Sequence, residues 1–179
     1  MKLVEQYNPI LSQKCEPFDF NNPIMDPYKL AEELHKIRFK GRGVGLAAPQ
    51  IGINTRALVM GMGNFETEEA KDYNSVFFNP EITEFSDETV LMIEGCLSYP
   101  ELFIKIKRPT YIVMTWENEE GNKCYDKFAG MTSRIIQHEV DHLEGITFLQ
   151  KANKYHIEQA KKALKKVQRI RKRNEITNN

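Results

Sequence analysis

The stretch IIQHEVDHLEG, Ile135 to Gly145, constrains this chain more than any other. His138 and His142 stand four apart, so on a helix they share one face and both imidazoles can reach one cation. Ile135, Ile136, Val140 and Leu143 surround them with apolar side chains, which marks a helix that is to be buried. Burying His138, Glu139, Asp141 and His142 together is costly unless they pair or hold a metal. The plain alternative is a pair of half-buried histidines satisfied by polar neighbours, but these are two of only four histidines in the chain. The fold is therefore expected to close around this helix, with Gly145 as its stop.

A catalytic metal site keeps three protein ligands and one open position. In peptidases of the HExxHxxGxxH type the third ligand lies beyond the helix. Near the place where that histidine is due stand Thr147 and Phe148, and the other downstream candidates, Glu144, His156, Glu158 and Glu175, have no supporting motif. Upstream, EGCLSYPE offers Cys96, at the end of an expected strand. A lone cysteine is more often a small buried hydrophobe than a ligand. Joined to the two histidines, however, its thiolate makes a Cys, His, His set with one position left open.

The rest of the chain reads as an α+β fold. MDPYKLAEELHKIRFKG predicts a helix, with Asp26 as N-cap, Pro27 at the first position and Gly41 at the end. RGVGLAAPQIGIN reads as a glycine-rich turn segment. TRALVMG and VFFNPEITEF predict strands on either side of the acidic segment NFETEEAKDYN, and TYIVMTWEN and KCYDKFA a hairpin about EEGN. From about Asn153 a second long helix follows, with Ile157, Ala160, Leu164, Val167 and Ile170 as a narrow apolar stripe. The expectation is small mixed or antiparallel sheets packed around a central metal-binding helix. Residues 1–150 make one catalytic domain, and 151–179 a basic helical tail packed on it or extending from it.

Composition removes several function classes. No apolar run approaches the roughly 18 residues of a membrane span. The start, MKLVEQYNPIL, lacks the apolar core of a secretory signal. Three widely spaced cysteines, Cys15, Cys96 and Cys124, do not make a disulfide framework and suit a reducing compartment, so the cytoplasm is expected. The net charge of zero hides an asymmetry: residues 151–179 hold ten Lys/Arg against two acids, leaving the first 150 residues at −8.

A third motif, GVGLAAPQ from Gly43 to Gln50, lacks both GxGxxG and GxxxxGK[ST], so a nucleotide reading is weak. Its glycines let backbone approach a substrate closely, and Gln50 offers an amide donor. GVGLAAPQ, EGCLS and QHEVDH stand in the order and approximate spacing of the three signature motifs of the peptide deformylases, and the chain resembles that family from about Ile10 into the tail. The resemblance implies a hydrolase that removes the formyl group from the formylmethionine of new polypeptides and releases formate. It implies one divalent metal on Cys96, His138 and His142, usually ferrous iron, although zinc, nickel or cobalt can occupy such a site. Glu139 would move the proton of the attacking water, and the Gln50 amide and Leu97 backbone N–H would stabilise the oxyanion. Val44, Gly45 and Gly95 would meet the substrate, with Val44 and Ile135 lining a methionine pocket.

Other residues are less tied to the chemistry. Asp141 and Gln137 are candidates to orient the ligands, with a solvent-facing role as the alternative. Arg108 is a candidate to pair with an acid and hold the loop after EGCLS. Leu102-Phe103 stands where some bacterial relatives carry an arginine that can contact the peptide, and Gln150 where an aspartate is common. Two other readings compete: a general metallopeptidase, and a non-enzymatic homologue that only binds peptides or the ribosome. A relative of the second kind is expected to lose Glu139 or Gln50, and both are present. The expected partners are formylmethionyl nascent peptides and, through the basic helix, ribosomal RNA; a monomer without membrane contact is expected.

Overall fold

The computed structural model describes residues 1–61 and 74–177, of which 175–177 by backbone only. The acidic segment 64–74 therefore lies, Asn74 apart, outside the described residues. Helix α1 spans Pro27–Lys40, and the Asp26 side chain accepts from the Lys29 amide at 3.0 Å, as its cap residues predict. Leu30, Leu34 and Ile37 are its buried face.

Strands β1 (Gly45–Ala47), β2 (Ala57–Gly61) and β3 (Asn74–Phe85) follow, then β4 (Thr89–Cys96), β5 (Tyr99–Pro109), β6 (Tyr111–Glu117) and β7 (Lys123–Ala129). Five of them form an antiparallel sheet in the order β1-β2-β3-β6-β7, and β4 and β5 make a separate hairpin. Helix α2, Gly130–Leu143, carries the two histidines, followed by the single turn α3 (Phe148–Lys151) and α4 (Lys154–Thr177).

β2 is buried along its whole length because both of its faces are covered. Ala57 and Val59 join α1 in one apolar cluster; Leu58 and Met60 point the other way, into a cluster with Ile135, Ile136 and Leu143 of α2. The sheet thus lies between α1 and α2, which explains why the strand reads as a continuous apolar run rather than an alternation. A third cluster joins Tyr99, Leu102, Ile104 and Ile106 of β5 to Phe148 and to Ala160, Ile157 and Leu164 of α4. The tail stripe docks over its first half only, since Val167 and Ile170 are 43% and 49% exposed.

Two elements differ from expectation. GVGLAAPQ is not only a turn: it gives the edge strand β1 and then a 3-10 turn over Ala48–Ile51. The β4–β5 hairpin was expected only as one strand end. Its connection, Leu97-Ser98, has none of the glycine or Asn-Gly chemistry by which a tight hairpin announces itself. Gly145 does end α2, in the left-handed region at φ 69°, where a Cβ would lie 2.7 Å from the Gln13 backbone. The N-terminal segment crosses there, and the Cys15 amide donates to the Leu143 carbonyl at 2.8 Å.

Candidate metal centre and active site

α2 and the end of β4 bring Cys96, His138 and His142 together, with one ligand atom from each lying within 4.8 Å of the others. Cys96 Sγ is 3.2 Å from His142 Nε2. His138 Nδ1 lies 2.9 Å from Glu94 Oε2, which fixes the proton on Nδ1 and leaves Nε2 for a cation. Burial holds His142 well below the ordinary histidine range, so it stays a neutral imidazole. Once deprotonated, the Cys96 thiol and the two imidazoles make a donor set that suits one divalent ion. Gly145 does fall at the glycine offset of the peptidase pattern, but Phe148 holds the place of its third histidine, with its ring 5.8 Å from that of His138.

Beneath the ligands lies a buried charged network. Arg108 binds Glu94 through Nε and Nη2 at 2.7 and 3.0 Å and Asp141 through Nη1 at 2.6 Å. Arg134 donates to Glu94 Oε1 at 2.9 Å and to the carbonyls of Ile106 and Val90. Burial opposes the charge on Glu94, but hydrogen bonds from His138, Arg108 and Arg134 hold it well below the usual carboxylate range. Arg108 thus ties hairpin to helix. Asp141 orients Arg108 and pairs with Lys151 at 3.0 Å. Gln137 instead donates to the Pro109 carbonyl and Ser133 Oγ, away from the ligands. Gln150 supplies a local tether, its Oε1 accepting from the Thr147 amide at 2.7 Å.

Gln50 is 1% exposed. Its Oε1 accepts from the Ala47 amide at 2.8 Å, so its NH2 must turn to the site, where it donates to Ser98 Oγ at 3.1 Å and lies 3.6 Å from Cys96 Sγ. Glu139 is buried, with Oε2 unpartnered among the described residues. Burial pushes its carboxyl up to about 7, against the pull of His138. A Cβ on Gly45 would collide with the Glu139 carboxylate, so only glycine lets β1 pass so close. The α1 residue Arg38, donating to the carbonyls of Gly43 and Gly61, holds that loop in place.

A cavity of about 540 Å³ opens on these groups and is lined by Val44, Gly45, Gln50, Gly95, Cys96, Leu97, His138 and Glu139, among others. Nine of the ten site residues named from sequence meet at this cavity or in the metal cluster behind it. Ile135 does not: it is 4% exposed and packs on the sheet side of α2, against the cluster containing Ala47 and Leu58. Sequence reasoning missed Glu94, Arg134 and Ser98. Glu94 had one available signal, since it lies two residues before Cys96 on a strand and so shares its face.

A model of the family "Polypeptide deformylase" matches residues 1–158. A peptide deformylase of a Synechocystis species is 38% identical over 125 residues, 70% of this chain and 65% of that one. One from Wolbachia pipientis is 36% identical over 169 residues, 91% of this chain and 90% of that one. Among solved structures, the peptide deformylase of Plasmodium falciparum matches with a TM-score of 0.82 at 30% identity, over 95% of this chain and 96% of that one. A peptide deformylase from Arabidopsis thaliana gives 0.83 at 28% identity, over 97% and 92%. The Cys, His, His cluster, the buried carboxyl beside it and the match over most of the length agree: the chain belongs to the polypeptide deformylase family and is a hydrolase that removes the formyl group from newly made polypeptides.

Proposed function

We propose that formylmethionine is deformylated in the cavity by Glu139, Gln50 and Leu97, beside one divalent metal on Cys96, His138 and His142. The observation that carries this reading is the meeting of that ligand set with a buried, unpartnered Glu139 oxygen in one cavity. When bound, the metal supplies Lewis acidity, which polarises a carbonyl and brings the pKa of a water down towards about 7. Ferrous iron is the proposed ion, with zinc, nickel or cobalt as substitutes; the thiolate ligand accounts for an expected loss of activity in air. Glu139, pushed up to about 7 by burial, takes a proton from the attacking water near neutral pH and returns it to the leaving amine. Gln50 Nε2 and the Leu97 amide donate to the formyl oxygen as charge builds on it. Val44, Gly45 and Gly95 hold the peptide backbone in the cavity.

A formyl carbon held between Leu97, Gln50 and the ligands carries only a hydrogen, whereas the methyl of an acetyl group would crowd these groups, so formyl is expected to be preferred over acetyl. The test is formate release by anaerobically prepared protein from formyl-Met-Ala-Ser, with acetyl-Met-Ala-Ser in parallel. Formate release with the acetyl peptide intact is expected; equal hydrolysis of both, or cleavage of internal peptide bonds, would contradict it.

The basic tail, residues 151–179, supports a second contact. Only the first half of its apolar stripe is covered, leaving a cationic helix beside an acidic body, which suits the RNA of a ribosome from which the substrate emerges. Replacing Lys161, Lys162, Lys165 and Lys166 by Glu should lower ribosome co-sedimentation at low salt and spare turnover of a short peptide. Unchanged co-sedimentation would make the tail structural. The protein is read as a cytoplasmic monomer; among the described residues no helix is long and apolar enough to cross a membrane.

A further inference from the structure

Arg38, on α1, is a buried cation that touches none of the reacting groups: it is 2% exposed and absent from the cavity lining. Its Nη1 donates to the Gly43 carbonyl at 3.0 Å and to the Gly61 carbonyl at 3.3 Å. Its Nη2 donates to Asn74 Oδ1 at 2.8 Å, and His35 Nδ1 accepts from its Nε at 3.4 Å. Burying a guanidinium is costly, and its planar fork of donors offsets that cost only where several acceptors are fixed around it. Here the acceptors stand at one end of the β1–β2 ladder. The Gly61 amide donates to the Val44 carbonyl at 2.9 Å, and the guanidinium takes up the carbonyls next to that bond. Glycine at 61 makes room for it, since a Cβ there would collide with the guanidinium and with Asn74 Oδ1.

The same residue grips Gly43 twice, because the Arg38 carbonyl also accepts from the Gly43 amide at 2.9 Å. Within this turn Arg42 lies in the left-handed region at φ 56°, a conformation that a residue with a side chain keeps only where its surroundings impose it. On the other side, a Cβ on Gly43 would lie 2.7 Å from Leu97 Cδ1, so the turn is wedged between α1 and the Leu97 side chain. Val44 and Gly45 follow at once and line the cavity, Gly45 against Glu139. We propose that Arg38 is a positioning residue for the substrate: by fixing Gly43 it sets the place of Val44 and Gly45, and so the affinity for peptide, without touching the peptide. The proposal rests on the deformylase reading above. Contacts of Val44 and Gly45 with the peptide backbone are made before the reaction as well as during it, so their loss appears in KM rather than in kcat.

The test uses the metal-loaded protein, with formyl-Met-Ala-Ser for kcat and KM and the unformylated product Met-Ala-Ser for Kd by calorimetry. Arg38→Met keeps the volume of the side chain and leaves both carbonyls unbonded, whereas Arg38→Lys can reach one of them. Asn74→Ala, at an exposed position, frees only the far end of the guanidinium and leaves the core intact. Arg38→Met should raise KM and product Kd about tenfold, the scale of a lost hydrogen bond to a charged group, with kcat within about threefold of native. Arg38→Lys and Asn74→Ala should raise both by about threefold, and Asn74→Asp, which keeps the acceptor, should behave as the native chain does. Melting temperature and metal content are read on the same samples. Native KM and Kd in Asn74→Ala and in each folded Arg38 variant, whatever happens to the melting temperature, would overturn the proposal and leave Arg38 purely structural. A fall in kcat at native KM would overturn it as well. If Arg38→Met does not fold, Asn74→Ala decides. If the native chain hydrolyses no formyl peptide, the deformylase reading fails, while the product Kd still decides the role of Arg38.

Discussion

Glu94 Oε2 stands 2.9 Å from His138 Nδ1, and the same carboxylate takes three hydrogen bonds from the guanidinium groups of Arg108 and Arg134. Two buried cations thus hold the anion that orients a candidate ligand. Buried ion pairs are weak evidence for stability, because desolvation offsets their attraction, so the network is better read as fixing an imidazole. Glu94→Ala, which strands Arg108 and Arg134, should cost about 3–5 kcal/mol of stability. Glu94→Gln should fold better yet weaken metal binding by about 10- to 100-fold, since an amide holds the His138 proton less firmly. Denaturant melts and metal competition read the two effects. Native-like metal affinity in Glu94→Gln would remove the orienting role.

Gln50 and Glu139 separate by different substitutions. Glu139→Gln should keep its metal and lose about 10²- to 10⁴-fold in turnover, because an amide cannot accept the proton. Gln50→Glu keeps an acceptor for the Ala47 amide but removes the donor, and should cost about 10²- to 10³-fold in kcat. Stopped-time formate assays on metal-quantified protein decide. Near-native rates in either variant would withdraw the corresponding role.

A pH effect on stability follows from α1. Burial, and then the charge of Arg38, push His35 down to about 4, while its Nδ1 accepts from Arg38 Nε at 3.4 Å. The folded state therefore binds its proton less readily than the unfolded chain, whose value is about 6.5. The stabilising contribution is complete above about pH 6.5 and is lost as pH falls from there towards 4. His35→Gln should flatten part of the fall in melting temperature between pH 7 and 5. The same slope in native and variant chains would show that His35 is not the source.

The elements legible in the sequence are those specified by local rules. The cap and apolar spacing of α1, the helix of His138 and His142, and the start of the tail helix all follow from neighbours within a few residues. The cavity residues came through short motifs in which a glycine, an amide, a thiol and a carboxyl each had a stated chemical use. What was not legible depends on distant pairing. Arg134 reads as an ordinary helix charge until β4, 40 residues away in sequence, supplies Glu94. Ile135 shares a helix with both histidines, but rotation about the axis sends it to the sheet, which spacing alone did not decide. The hairpin escaped because its turn lacks the residues that usually mark one.

The central claim is that one metal, held by Cys96, His138 and His142, sets the activity. The most direct measurement titrates ferrous iron anaerobically into metal-free protein and follows formate release from formyl-Met-Ala-Ser at each addition. The rate should rise in proportion to metal and level off at about one ion per chain. Cys96→Ser and His142→Ala should show neither tight uptake nor the rise. Full activity in the metal-free chain, or a normal titration in both variants, would contradict the account.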